Sequence, residues 1–162
     1  IIAKRQPTAV DLRLVMTVIR SISDLERIGD EAKKIAKAAK RLHGTDMPFS
    51  PRVELGYSAN LALEMLRNAL DGFARADASS LASIKTQDAE VDANFKGTMR
   101  QLITFMMEDP RTITNSLELL FIAKSIERIG DHSKNVAELI IYLVEGTDVR
   151  HTSLEDIESV LR

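Results

Sequence analysis

The sequence predicts an all-α protein made of tandem three-helix bundles of up-down topology, the first bundle represented mainly by its last helix. Three observations predict it. The motif Glu26-Arg27-Ile28-Gly29-Asp30 returns as Glu127-Arg128-Ile129-Gly130-Asp131, 101 residues from Glu26 to Glu127, and one motif twice in so short a chain marks two copies of one helical unit. Aromatic residues are 4 % of the 162 residues and Trp is absent, a composition that suits helix packing better than sheets. Apolar residues recur at alternating spacings of three and four, the period of a helical stripe. Around the motif the echo stays in register, pairing Lys33 with Lys134, Ile35 with Val136, Ala36 with Ala137 and Leu42 with Leu143.

Residues 1–43 read as the remainder of the first unit. Ile1-Ile2-Ala3-Lys4-Arg5 resembles the last turn of a helix, Gln6-Pro7-Thr8 is a break, and one long helix follows from Thr8 to His43 with Gly44 placed to end it. Its apolar side is expected at Val15, Ile19, Ile22, Ile28, Ala32, Ile35, Ala39 and Leu42, and Glu26 and Asp30 continue that stripe at 100° per residue. Residues 44–50 form a linker. A complete first copy needs about 50 further residues upstream, so the helix over 8–43 is expected to carry an apolar face covered by a second chain or by residues outside this sequence.

Residues 51–144 read as a complete bundle. Ser50-Pro51 is a cap followed by a first-turn proline, opening a helix to about Ala76 with a seam of Leu55, Ala59, Ala62, Leu66, Ala69 and Phe73. Asp77 is placed to cap the next helix, to about Glu108, with a seam of Leu81, Ile84, Asp88, Val91, Phe95, Thr98, Leu102 and Phe105. Asp109-Pro110 repeats the cap and proline before the motif-bearing helix, which runs to about Val144 and stops at Gly146. Residues 145–162 form a charged C-terminal tail.

The formal net charge is −2, which argues against a nucleic-acid surface. The run from Lys33 to Arg41 is basic but lies in the last turns of a helix, where cations suit the dipole, so it reads as a solvated helix end in preference to the alternative, a phosphate-binding patch. With no cysteine, disulfides, thiolate metal sites and thiol catalysis are excluded within this chain. No apolar run approaches the ~20 residues that span a bilayer and no signal-peptide pattern is visible, so the expected place is the cytoplasm. Glycine-rich phosphate loops are absent, which disfavours nucleotide hydrolysis. Met65, Met106 and Met107 read as core filler.

The repeated motif places two carboxylates four residues apart, on one helix face, where they repel. The glycine in the same turn adds roughly 1 kcal/mol relative to alanine. Compensation comes from the neighbouring arginines or from a cation. Asp88 occupies a seam position that should be apolar, with Asp92 one turn on. Counted from the turn near Asp109, Asp88 and Asp92 stand at the heights of Glu127 and Asp131, so four carboxylates would make an all-oxygen site for Mg, Mn, Fe or Zn. Glu26 and Asp30 would form the same half-site in the first unit. The competing reading pairs the acids with Arg27, Arg128, Arg100 or Lys134 in structural salt bridges. Gly29 and Gly130 serve either close helix contact or ligand approach. His132 reads as a surface histidine, with a peripheral metal ligand or a phospho-acceptor as the lesser readings, and the Glu-x-x-His pairs of diiron bundles are missing beside these acids.

The segments Arg5-Gln6-Pro7, Asp11-Leu12-Arg13, Asp24-Leu25-Glu26-Arg27-Ile28-Gly29-Asp30 and Ile126-Glu127-Arg128-Ile129-Gly130-Asp131-His132, with Asn135 and Ala137, resemble the PhoU family over nearly the whole chain. The resemblance implies tandem three-helix bundles of the spectrin-like up-down kind. It also implies metal ions, divalent or trivalent, held by Glu26 with Asp30, Glu127 with Asp131, and Asp88 with Asp92. The implied role is a non-enzymatic, cytoplasmic, dimeric regulator, peripheral to the membrane. It would link a phosphate ABC transporter ATPase to a sensor histidine kinase and hold phosphate-starvation signalling off. Two other classes compete with it: a metal-dependent bundle hydrolase using a metal-bound water, and a purely structural helical scaffold.

Overall fold

The computed structural model describes residues 8–44 and 50–146. The expectations for residues 1–7, for most of the linker and for the tail after Gly146 lie outside the described residues. Four helices account for most of the rest: α1 (Ala9–His43), α2 (Gly56–Arg75), α3 (Leu81–Glu108) and α4 (Ile113–Glu145).

α1 starts where the sequence places it. Thr8 Oγ1 accepts from the Asp11 amide at 3.3 Å and the Thr8 amide donates to Asp11 at 3.1 Å, a reciprocal cap that satisfies donors the first turn leaves free. α2 departs from expectation, because residues 51–55 are not helical and Pro51 is buried. The capping acceptor is Glu54, whose Oε1 takes the Gly56 and Tyr57 amides at 2.7 and 3.2 Å. Asp77 likewise caps a turn and not a helix, accepting from the Ser79 amide at 2.9 Å, two residues on, as Asx-turns do. α3 then begins four residues later. Asp109 accepts from the Arg111 amide at 3.0 Å and Pro110 leads a 3-10 turn, Pro110–Thr112, into α4. Gly146, at φ +73°, ends α4 in the left-handed region that favours glycine.

Short connections set α3 antiparallel to both α2 and α4. Their core contains Ala62, Met65, Ala69, Leu81, Ile84, Val91, Ile126, Val136, Ile140 and Ile141, and Ala38 and Leu42 of α1 join it. Met65 is the filler the sequence suggests, displacing Leu66 to the edge of the seam. Met107 is not, being 81 % exposed.

α1 packs along α4 and runs antiparallel to it, since Asp24 meets His132 while Arg41 meets Glu118. This packing corrects the expected apolar side of α1. The buried positions are Thr17, Ser21, Asp24, Ile28, Glu31, Ala38 and Leu42, whereas Ile19 and Ile22 are 56 % and 52 % exposed. The repeat explains the difference. Ile22, Leu25, Gly29 and Ala36 correspond to Ala123, Ile126, Gly130 and Ala137, which are buried in the bundle that α4 shares with α2 and α3. On α1, Val10, Leu12, Leu14, Met16, Val18, Ile19, Ile22 and Leu25 all stay exposed, so an unsatisfied apolar face is present among the described residues.

Candidate functional site

The α3 and α4 helices meet where the matched heights predict. Asp88 makes a direct ion pair with Lys134, and Lys134 Nζ also lies 3.4 Å from Asp131. A lysine thus sits between the two acids expected to share a cation. Burial, followed by the nearby charges of Asp131 and Asp92, pushes the Asp88 carboxyl above its ordinary range despite Lys134. Burial pulls Lys134 down, but its hydrogen bond with Asp88 and the charges of Asp88 and Asp131 outweigh that and hold it above the usual lysine value. One turn along, Glu138 is 3 % exposed and pairs with Lys85 at 3.0 Å. Its carboxyl is also raised, first by burial. Asp88, Lys134, Glu138 and Lys85 form a largely desolvated charge quartet joining α3 to α4. Lys85 and Glu138 are absent from the sequence-based candidates, because a single Lys or Glu on a helix carries no signal until its partner helix is known.

The remaining motif acids also have lysine partners: Asp92 with Lys96 at 3.0 Å, Glu127 with Lys124 at 2.6 Å and Asp30 with Lys33 at 3.3 Å. Glu26 is exposed. Of the four cations named from sequence, Lys134 takes the predicted part, while Arg128 turns to Glu31 at 3.4 Å. Among the described residues no group of three or more Asp, Glu or His converges closely enough to hold a metal ion. As arranged, the acids do not fit a metal centre. A cation between Asp88 and Asp131 would have to displace Lys134.

The joint between α1 and α4 carries polar pairs of its own. His132, expected at the surface, is buried, and its Nδ1 is 2.9 Å from Asp24 Oδ1, to which Asn135 also donates at 3.4 Å. Buried Glu31 takes Lys34 at 2.8 Å and Arg128 at 3.4 Å, with Ser125 as a further donor. Burial would raise Glu31, but these donors prevail and hold it below the usual range. Gly130 is in the core, where an added Cβ would lie 3.6 Å from Met65, while one on Gly29 would meet nothing within 4 Å.

A helical repeat protein joined through ion-paired helices is the class that this architecture defines, and none of its described helices is long and apolar enough to cross a membrane. A family model described as the PhoU domain matches residues 1–39 and 58–140, and the chain belongs to the PhoU family. It is 47 % identical over 165 residues to the phosphate-specific transport system accessory protein PhoU homolog of Pseudomonas aeruginosa, covering 98 % of this chain and 67 % of that protein. To the phosphate-specific transport system accessory protein PhoU of Escherichia coli it is 46 % identical over 162 residues, 99 % of this chain and 66 % of that one. The chain therefore spans about two thirds of the length of these relatives. The crystal structure of PhoU from Pseudomonas aeruginosa superposes with a TM-score of 0.83 at 47 % identity, covering 90 % of this chain and 70 % of that one. The phosphate transport system regulatory protein PhoU from Streptococcus pneumoniae gives 0.78 at 33 % identity, covering 88 % and 67 %.

Proposed function

We propose that this chain is an accessory regulator of phosphate transport, acting by binding and not by catalysis. The observation that carries the reading is the near-full-chain identity to proteins named as accessory to phosphate-specific transport. The finer reading places it in the cytoplasm, as a dimer in contact with a transporter ATPase and a sensor histidine kinase, keeping phosphate-starvation signalling off when phosphate is plentiful. The test is to express the chain in a bacterium whose own PhoU is deleted. Restored repression of a starvation reporter in high phosphate supports the reading, and a reporter that stays active overturns it for this chain.

Metal belongs to the same proposal in a conditional form. Glu127 with Asp131 and Asp88 with Asp92 would hold a divalent or trivalent cation once Lys134 withdraws, and Glu26 with Asp30 would be the corresponding pair on α1. Supporting this is the nearness of Asp131 and Asp92 to Asp88, like charges that a cation would offset. Metal content is compared by mass spectrometry between the native protein and the Glu127→Gln, Asp131→Asn double variant, both purified without chelator. Loss of metal in the variant supports ligation. Metal absent from both, or equal in both, leaves the acids as salt-bridge partners and favours the scaffold reading, which the lysine at nearly every acid already suits.

A further inference from the structure

Between the C-terminal half of α1 and the N-terminal half of α4 lies an open groove of about 290 Å³. Lys34, Lys37 and Arg41 form one wall, Lys124 and Arg128 the other, and Glu31 is the one acid in the lining. Glu118 pairs with Arg41 at 2.6 Å and Glu127 with Lys124 at 2.6 Å from outside the lining. Five cations thus face three carboxylates, an excess of two positive charges in a chain whose net charge is −2. Lys37 forms no ion pair among the described residues. The other cations keep unused donors, because an ammonium has three and a guanidinium five, while each is engaged by one carboxylate.

The repeat supplies an internal control. Moving each residue by the 101-residue offset carries this groove onto a second one, lined by Arg20, Ser23, Asp24, Arg27, Lys134, Asn135 and Glu138. There Lys34 is replaced by Asn135, Lys37 by Glu138 and Lys124 by Ser23. Packing therefore does not require the three lysines, although Arg27 holds the place of Arg128 and Arg20 that of Phe121. Nor does the helix dipole, whose influence is confined to the last turn, whereas Lys34 and Lys37 lie farther back in a helix ending at His43. Phe121, 57 % exposed, lines the same groove and offers a ring face beside the charge.

We propose that this groove binds a doubly charged phosphoryl group, either inorganic phosphate or the phosphate of a small molecule whose ring lies against Phe121. Lys37, Lys34 and Arg128 supply charge-assisted hydrogen bonds to its oxygens, and Glu31 orients the last two from below. The groove carries this argument independently of the regulatory reading, so failure here leaves that reading standing.

The experiment is calorimetric titration of the protein with inorganic phosphate and with adenosine monophosphate at low and high salt, beside sulfate and a polyglutamate peptide. Variants are Lys37→Glu, Lys124→Gln and Phe121→Ala, each first checked by circular dichroism and thermal melting. We expect salt-sensitive binding of phosphate or the nucleotide, weakened about tenfold or more by Lys37→Glu. If free phosphate is the ligand, Phe121→Ala leaves its affinity unchanged. If an organic phosphate is the ligand, Phe121→Ala weakens the nucleotide alone. No binding of either ligand, binding of the peptide only, or binding untouched by both lysine variants overturns the proposal.

Discussion

Asp24 on α1 and His132 on α4 meet at 2.9 Å, and the repeat offset turns this contact into another one. Asp24 corresponds to Ser125 and His132 to Glu31, and Ser125 hydrogen-bonds Glu31. The joint between the two units is thus one contact made twice, with different residues, about an approximate two-fold axis beside Ile28 and Ile129. Replacing Asp24 by Ala strips the acceptor from buried His132 and from Asn135, at a cost of about 1–3 kcal/mol. Urea unfolding of the single variants and of Asp24→Ala with His132→Ala should show coupling. Strictly additive losses would mean that the pair contributes nothing.

Acid tests the other half of the same joint. The Glu31 carboxyl is held below its ordinary value of 4.5 by Lys34, Ser125 and Arg128 against the effect of burial. Its ionised form therefore favours the folded state. That contribution is complete above about 4.5 and disappears as pH falls through the lowered folded value. Wild type should melt well above Glu31→Gln at pH 7, and the gap should close as pH falls below the ordinary carboxylate range. A gap that stays constant over that range would contradict the assignment.

Two glycines on packed helices should respond in opposite ways to alanine. At Gly72 a Cβ would stand 2.6 Å from the backbone oxygen of Asp77 and 3.1 Å from Ile140, so the turn between α2 and α3 must move, at roughly 1–3 kcal/mol. At Gly130, inside the repeated motif, the nearest atom is 3.6 Å away, an ordinary contact. Gly130→Ala should therefore keep the fold and gain up to about 1 kcal/mol from helix propensity. If it instead lost stability, close approach of α2 would be the reason for the glycine after all.

Ala76 ends α2 at φ +52°, a left-handed conformation in which its Cβ crowds the following carbonyl. Glycine has no such clash, though it loses more backbone freedom on folding. Ala76→Gly should raise stability by about 0.5–1 kcal/mol, measured as a higher melting temperature. No rise would show that the local backbone relaxes around the alanine.

The exposed apolar face of α1 should bind a hydrophobic dye or draw the protein into larger assemblies. Ile19→Lys with Ile22→Lys should lower dye fluorescence and change the unfolding free energy by no more than about 0.5 kcal/mol. A monodisperse monomer without dye binding would argue that the face is not apolar in solution.

Helix number, the start of α1, the stop at Gly146 and the seam of α3 were legible because period and capping are local properties of sequence. The intruding Asp88 was legible for the same reason, and so was one of its candidate partners, Lys134. What the sequence could not show is which face of α1 turns inward. That depends on docking α1 against α4 alone, which buries Thr17, Ser21, Asp24 and Glu31 and leaves a more apolar stripe outside. His132 looked like a surface residue for the same reason. The basic groove was half visible as the Lys33 to Arg41 run, but its second wall, Lys124 and Arg128, arrives only with the fold. Ser50-Pro51 marks a helix start by its cap and proline, whereas α2 begins at Gly56, where Glu54 takes the first amides.

The four buried positions of α2 are Ala62, Met65, Ala69 and Gly72, three of them with almost no side chain. A helix seated so close to its neighbours has little freedom to vary inward and much to vary outward. Saturation mutagenesis of α2 would therefore record a barcode, with silent substitutions over most of its length and intolerance recurring at steps of three, four and three. Larger residues would be rejected at the alanines and at the glycine, and smaller ones at the methionine. Natural drift along this helix should follow the same outward stripe, letting the surface it shows to solvent diverge while its place in the bundle stays fixed.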